Sequence, residues 1–218
     1  MKADDTWAEG DAYESYMGRW SRLVAAGFVE WLDVPRGGVW LDVGCGTGAL
    51  TAAICDAADP VAVTGVDPSP TFVAHATDLS TSPSAGFVVA SASALPFADG
   101  IFDIAVSGLV LNFLPDPVAA LREQSRVVTP LGTVAAYVWD YAEGMRLLRH
   151  FWDVARRIAP SAVALDEAVR FPDANPRGLA SLFEAAGLAL VATTDVEVET
   201  SFGDFDELWV LFLTGQGP

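Results

Sequence analysis

Apolar residues along the chain form short continuous runs, separated by segments in which apolar side chains recur at helical intervals. Strands covered on both faces have such near-continuous apolar runs. The runs lie at Val39 to Val43, Val61 to Val66, Gly86 to Ala90, Ile101 to Ser107 and Thr133 to Trp139. Strands that alternate with helices favour a parallel sheet with helices on both faces. The pattern therefore predicts an α/β fold.

The intervening segments predict the helices. The first, Ala12 to Leu32, spaces large apolar side chains helically and stops before Pro35. Further helices are predicted at Ala49 to Ala57, Pro70 to Thr77, Pro117 to Val128, Gly144 to Ile158 and Pro176 to Ala186. Apolar residues within Leu188 to Phe202 predict one more long strand. We expect residues 1–38 to form a helical lid and residues 39–218 the main domain, together one structural unit.

The length and net charge of the chain limit the number of domains and the kinds of partner that are expected. With 218 residues the chain suits one substantial domain. Its net charge of −17 repels nucleic acid and anionic membrane surfaces, so neither is an expected partner. No apolar run reaches the roughly 20 residues of a transmembrane helix, and the acidic N-terminus does not resemble a secretory signal. The two cysteines, Cys45 and Cys55, supply neither a disulfide framework nor a zinc site, so we expect a cytoplasmic protein without a metal.

A glycine-rich turn follows the first predicted strand. Gly44, Gly46 and Gly48 stand at alternate positions, which lets the backbone turn sharply and approach a ligand closely. Asp67 ends the second strand, where a carboxylate can accept both hydroxyls of a ribose. These residues predict a nucleoside site; the alternative is a tight turn with a helix-capping aspartate. Because Gly44, Gly46 and Ala49 also fit the dinucleotide fingerprint, a dehydrogenase and a methyltransferase both remain open on the glycines alone.

The wider sequence is more specific. Its motifs are Val39 to Gly48 (VWLDVGCGTG), Gly65 to Ser69 (GVDPS), Ala94 to Phe97 (ALPF) and Phe102 to Ser107 (FDIAVS). In these motifs the chain resembles the class I S-adenosylmethionine-dependent methyltransferases, in particular the small-molecule enzymes similar to ubiquinone and menaquinone biosynthesis methyltransferases. The resemblance extends over roughly Tyr13 to Leu213. It implies a Rossmann-like fold and binding of S-adenosylmethionine, with S-adenosylhomocysteine as the product.

The resemblance also assigns a cofactor site. The backbone of the glycine turn would face the methionine part, Asp42 would orient its ammonium group, and Asp67 would hold the ribose. Ser91 lies where the family commonly has an aspartate for the adenine amino group, and the backbone of Ala92 is expected to help. The full implied set of cofactor-binding residues is Tyr16, Trp20, Asp42, Gly44, Cys45, Gly46, Asp67, Pro68, Ser91, Ala92, Ser107 and Leu109.

The acceptor side is less well defined. Tyr16 and Trp20 belong to an aromatic stripe that is typical of a core, but in relatives this segment crosses the cofactor mouth. The segment after the fifth predicted strand, Trp139 to Met145, would form the opposite wall. Where the family often has a histidine this chain has Asn112, so we assign no catalytic residue. We expect in-line methyl transfer to a small molecule, catalysed mainly by proximity, in a monomer or homodimer.

Two alternatives stay open from the sequence. One is a non-catalytic sensor of S-adenosylmethionine or S-adenosylhomocysteine, and the other, less favoured, is a nicotinamide-dependent dehydrogenase. Two further structural expectations follow from departures at the end of the domain. The family's last antiparallel strand is expected to be missing beside Thr133 to Trp139, as in a truncated form, with a gap there or direct pairing of the strand within Leu188 to Phe202. Coverage of that edge by a partner subunit is the other option. Leu131 replaces a glycine of the family's turn, and we expect a different turn type there.

Overall fold

The computed structural model describes residues 18–189 and 191–213, with the side chain of Leu211 excepted. The strands are β1 (Val39–Val43), β2 (Ala62–Asp67), β3 (Ala85–Val89), β4 (Phe102–Gly108) and β5 (Val128–Tyr137). The helices are α1 (Arg19–Leu32), α2 (Ala49–Ala58), α3 (Pro70–Leu79), α4 (Pro117–Val127), α5 (Arg146–Ile158), α6 (Glu167–Arg170), α7 (Pro176–Ala185) and α8 (Phe205–Leu213). Short 3₁₀-helices lie at Leu111–Phe113 and Pro160–Leu165. These elements confirm the predicted α/β fold.

The strands form one five-stranded sheet in the order β3-β2-β1-β4-β5. Every neighbouring pair is parallel, with Asp42 opposite both Gly65 of β2 and Val106 of β4. The chain runs outward from β1 to β3 and then crosses back to β4 on the other side of β1, so the strand order reverses between β1 and β4. Ligands of open α/β sheets bind outside the carboxyl ends of the strands at such a reversal. This edge of the sheet is therefore where the functional site is expected.

Alternate residues of β1 feed two hydrophobic cores. Trp40 points into the core that α1 and α2 cover, where it lies with Phe28 and Ile54. Leu41 points to the opposite face, into a core that includes Ala120 of α4. Because α1 contributes Phe28, Ala25 and Val29 to the first core, its described part is packed into the domain.

The predicted strand within Leu188 to Phe202 is wrong for the described residues, since 191–202 form no strand. This segment packs instead on α1. A Cβ placed on Gly27 would lie 2.8 Å from Cγ1 of Val196, and Val198 and Phe202 contact Trp20. No antiparallel strand from the described residues lies beside β5, whose outer edge is the end of the sheet.

The start of β5 also differs from expectation. Val128 already pairs with Phe102, and the ladder then shifts register before Thr133 pairs with Ile104. Within this irregularity Leu131 has φ of 70°, so the different turn type expected there is wrong. Leu131 is fully exposed, which leaves its side chain room despite the unfavourable backbone angle.

Candidate active site

The glycine turn lies between β1 and α2 and takes three positive φ angles, at Gly44, Gly46 and Gly48. The backbone N–H groups of Gly44 and Cys45 both donate to the carbonyl of Val66, at 2.7 and 2.9 Å. A Cβ added to Gly46, in contrast, would meet no atom within 4 Å. The turn is thus tied to β2 on one side and borders open space at Gly46.

Asp67 joins this turn to the end of β2. Its carboxylate accepts N–H groups from Gly46 at 3.1 Å and from Ser69 at 2.9 Å, one on each oxygen. The residue is 8% exposed, and burial raises the pKa of its carboxyl despite these two hydrogen bonds. A carboxylate has about four acceptor positions, so about two remain for a ligand. Asp67 therefore fits a group that presents two hydroxyls.

Asp42 lies beneath the glycine turn, where β1 meets α2. It is 1% exposed, and its Oδ2 accepts the hydroxyl of Thr51 at 2.7 Å. Burial raises the pKa of Asp42 to about 7, although the hydrogen bonds from Thr51 act in the opposite direction. Burial also raises the pKa of the Cys45 thiol, which is further disfavoured as a thiolate by Asp42 and Asp67. Cys45 is consequently a neutral packing residue rather than a nucleophile.

The loop after β3 begins beside Asp67, because the N–H of Ala90 donates to the Asp67 carbonyl at 3.1 Å. Ser91 is exposed, and its hydroxyl accepts the N–H of Ser93 at 3.3 Å. Ala92 is buried in the core below. The loop therefore presents Ser91 on its surface next to Asp67.

The carboxyl end of β4 and the 3₁₀-helix after it each supply one buried polar atom. Ser107 is fully buried, and its hydroxyl has no hydrogen-bond partner among the described residues. The same holds for the side-chain Nδ2 of Asn112, on the 3₁₀-helix that follows. Between them Leu109 has φ of 60°, and its N–H donates to the Tyr137 carbonyl at 2.8 Å. Buried polar groups in native proteins nearly always have partners, so unpaired ones at a sheet edge suggest a ligand.

Aromatic side chains gather around this end of the sheet. Trp20 is 4% exposed and packs against Trp139 and Met145, so the two walls expected on opposite sides of the mouth are in contact. Phe171 stacks edge to face on Phe113 and also contacts Tyr141, with centroid distances of 5.1 and 5.7 Å. An aromatic cluster beside convergent polar groups is typical of a small-molecule pocket.

Comparison with known proteins decides the family. Residues 41–136 match the model of a methyltransferase domain. A 2-methyl-6-phytyl-1,4-hydroquinone methyltransferase from Synechocystis is 32% identical over 99% of this chain and 74% of its own length. A demethylmenaquinone methyltransferase from Bacillus licheniformis is also 32% identical, over 73% of this chain and 74% of its own length. The chain belongs to the class I S-adenosylmethionine-dependent methyltransferases.

Solved structures agree with the fold of this methyltransferase. A Thermotoga maritima structure, titled as an S-adenosylmethionine-dependent methyltransferase and possible histamine N-methyltransferase, has a TM-score of 0.58 and 23% identity. The match includes 81% of this chain and 76% of that one. At this identity the likeness concerns the fold alone.

The methyltransferase brings most of the predicted cofactor residues to one edge. The residues at the carboxyl ends of the strands are Gly44, Cys45 and Gly46 after β1, Asp67 and Pro68 at and after the end of β2, Ser91 and Ala92 after β3, and Ser107 and Leu109 near and after the end of β4. Asp42 lies underneath and Trp20 to the side. Tyr16 lies outside the described residues. Of the two histidines, His150 is exposed on α5 and His75 is half-buried on α3.

Several contacts in the methyltransferase were not found from the sequence. Thr51 binds Asp42 because both point between β1 and α2; the spacing of nine residues is not a recognised motif. Val110 fills the space that a side chain on Gly44 would need, at 2.4 Å from the ideal Cβ position. Within the described residues, no group of three or more histidine, cysteine or acidic side chains could hold a metal ion, and no helix is long and apolar enough to cross a bilayer.

Proposed function

We propose that the protein transfers a methyl group from S-adenosylmethionine to the ring of a small hydroquinone-type acceptor. The observation that carries the acceptor class is the similarity, over nearly the whole chain, to a methyltransferase named for a hydroquinone. The buried amide donor of Asn112 supports it, because an oxygen-bearing ring offers that donor an acceptor atom. The rings of Phe113, Phe171 and Tyr141 suit a flat aromatic molecule.

The residues present fit S-adenosylmethionine. Open space beside Gly46 forms a cradle that any Cβ would begin to fill. The N–H groups of Gly44, Cys45 and Gly46 already donate within the protein, so they are not free for the ammonium group of the methionine part, which we place against carbonyl oxygens of the turn. The two remaining acceptor positions of Asp67 match the two ribose hydroxyls. We place the adenine against Ser91 and the backbone of Ala92.

The chemistry needs little from the protein beyond position. S-adenosylmethionine supplies, when bound, a methyl group on a positively charged sulfur. Asp67 and the glycine turn hold one reactant, and Asn112 orients the other from the end of β4, so that the transfer becomes an in-line displacement between two fixed groups. The aromatic side chains around the edge exclude water. Methylation of a ring carbon also breaks its C–H bond, and the proton released there passes to bulk water. An amide does not titrate in the working range, so we assign no general base to Asn112.

The test is methyl transfer from isotopically labelled S-adenosylmethionine to a panel of acceptors. The panel contains a reduced benzoquinol, a reduced naphthoquinol, their oxidised quinones and an aromatic amine. We expect one labelled methyl group to replace a hydrogen of a quinol, and of neither its quinone nor the amine. Methylation of the amine alone would overturn the acceptor class, and no labelled product together with tight S-adenosylhomocysteine binding would favour a sensor.

A further inference from the structure

One ion pair on α4 holds the loop that follows β3. Arg126 donates to the carbonyl of Leu95 at 3.0 Å, to the carbonyl of Phe97 at 2.9 Å and to the carboxylate of Asp99 at 2.7 Å. It also forms two hydrogen bonds of 2.8 Å with Glu123, one turn away on the same helix. Glu123 in turn accepts the N–H of Leu95 at 2.9 Å. The pair therefore binds both backbone groups of Leu95.

This ion pair orders the backbone of the loop, which an isolated surface salt bridge does not do. An exposed ion pair contributes little to stability, and Asp99 is largely exposed. The pair instead satisfies three backbone groups of a loop whose described residues belong to no strand and form one isolated bridge, between the loop's own Ser91 and Ala94. Hydrogen bonds from a guanidinium fork are directional, so they fix the course of the loop as well as its distance from α4.

The loop held in this way is the one that carries Ser91 and Ala92. Its first residues are fixed to Asp67 through the N–H of Ala90, and its later ones to Arg126 and Glu123. The side chains of Ala92 and Leu95 are buried below it. Because Ser91 replaces the aspartate common in the family, recognition of the adenine depends more on the position of the loop backbone.

We propose that Arg126 and Glu123 are positioning residues that set the adenine specificity of the cofactor site. The inference rests on the proposed function, because it takes the loop at Ser91 and Ala92 as the place of the base. Adenine offers N1 as an acceptor for a backbone N–H, whereas hypoxanthine carries a hydrogen at N1. A loop whose N–H is fixed opposite N1 therefore binds adenine more tightly than hypoxanthine, and a more mobile loop shows a smaller difference in affinity. The hydrogen bonds between the two side chains lower the pKa of the Glu123 carboxyl and raise the pKa of the Arg126 guanidinium.

The experiment measures the affinities of S-adenosylhomocysteine and S-inosylhomocysteine by titration calorimetry, in wild type and in Arg126→Ala. We expect the wild type to prefer the adenine ligand. The variant should bind it about tenfold more weakly, which corresponds to ~1.4 kcal/mol, and lose less affinity for the inosine ligand. In turnover, the KM for S-adenosylmethionine should rise while kcat at saturation changes little.

Arg122→Ala is the matched control, since Arg122 lies on the same helix and donates to a backbone carbonyl, that of Ala185, away from the loop. It should leave both affinities unchanged. Arg126→Lys and Glu123→Gln, which alter the pair while nearly keeping side-chain size, provide the measurement if Arg126→Ala does not fold. Each should reduce the preference for adenine.

Unchanged affinities in the Arg126 and Glu123 variants would overturn the positioning role while leaving the proposed function intact. An equal loss for both ligands would also overturn it, because the pair would then only stabilise the fold. Wild-type protein that binds neither ligand would instead refute the proposed function itself, and the inference with it.

Discussion

Replacing Asp67 by asparagine tests the cofactor site most directly. The carboxylate uses about two of its four acceptor positions on the N–H groups of Gly46 and Ser69, and the other two are assigned to the ribose. Asparagine keeps the size but turns one oxygen into a donor, which opposes either a backbone N–H or a ribose hydroxyl. A hydrogen bond to a charged group contributes about 1.5–3 kcal/mol. The variant loses one of the two hydrogen bonds to the ribose, and the other is no longer made to a charged group. Binding should therefore weaken by about 2–4 kcal/mol, or roughly 30- to 1000-fold.

The assay is titration calorimetry of S-adenosylhomocysteine at constant pH. Asp103→Asn serves as the control, because Asp103 also accepts a backbone N–H, that of Val39 at 2.9 Å, but lies at the amino end of β4, at the other edge of the sheet. Thermal melts of both variants show how much each hydrogen bond stabilises the fold. Asp67→Asn that binds within about twofold of wild type would refute the assignment of Asp67 to the ribose.

Three other predictions follow from single buried or strained positions. Burial holds the pKa of Asp42 well above its unfolded value, so the stability that the protonated carboxyl contributes is present below about pH 4 and is lost as pH rises through about 7. The wild-type protein should therefore lose more stability than Asp42→Asn between pH 5 and pH 8, as measured by urea denaturation. Gly46→Ala should cost about 1–2 kcal/mol because of the positive φ and also weaken S-adenosylhomocysteine binding about tenfold or more, by occupying the open space, as calorimetry would show. Gln124 is fully buried, with both side-chain polar atoms unpartnered among the described residues, so Gln124→Met should stabilise the protein by about 1 kcal/mol in thermal melts.

Each of these has a contrary result. Equal pH dependence in wild type and Asp42→Asn would show that the carboxyl is ionised in the folded protein below pH 5. Normal ligand binding by a folded Gly46→Ala protein would mean that the glycine serves only the turn. A fall in stability for Gln124→Met would mean that the buried amide has a partner in solution.

The first four strands could be predicted to within one residue at each end, because continuous apolar runs between turn residues leave little choice of boundary. β5 was harder. It begins at Val128 rather than Thr133, since Val128 pairs with Phe102 before the register shift. The pattern of apolar residues does not show whether an irregular stretch of backbone lies within a strand or before its first residue.

The last part of the chain was predicted less well for a different reason. Val196 and Val198 alternate with acidic residues, which is the pattern of a half-buried strand. They pack on a helix instead, against Gly27 and Trp20, and no strand among the described residues pairs with them. The helix Phe205–Leu213 was not predicted at all, because its apolar residues show no single face.

The site shows the same division. The placement of Gly46 and Asp67 at the same end of the sheet could be predicted, because it depends only on position after a strand. The spacing of Glu123 and Arg126 indicates an ion pair on a helix. The hydrogen bonds of this pair to Leu95 and Phe97 depend on how the loop after β3 passes over that helix. Contacts of that kind need tertiary structure.

The contact between Gly44 and Val110 has a consequence for how this family can diverge. A side chain at position 44 would collide with Val110 at 2.4 Å and would also have to adopt a φ of 76°. Only the collision can be relieved elsewhere, by a smaller residue at position 110. Since Val110 stands between Leu109, assigned to the cofactor, and Asn112, assigned to the acceptor, that smaller residue would also reshape the path to the acceptor. Position 44 should therefore remain glycine while position 110 varies, and a change of acceptor preference among descendants is expected to begin at position 110.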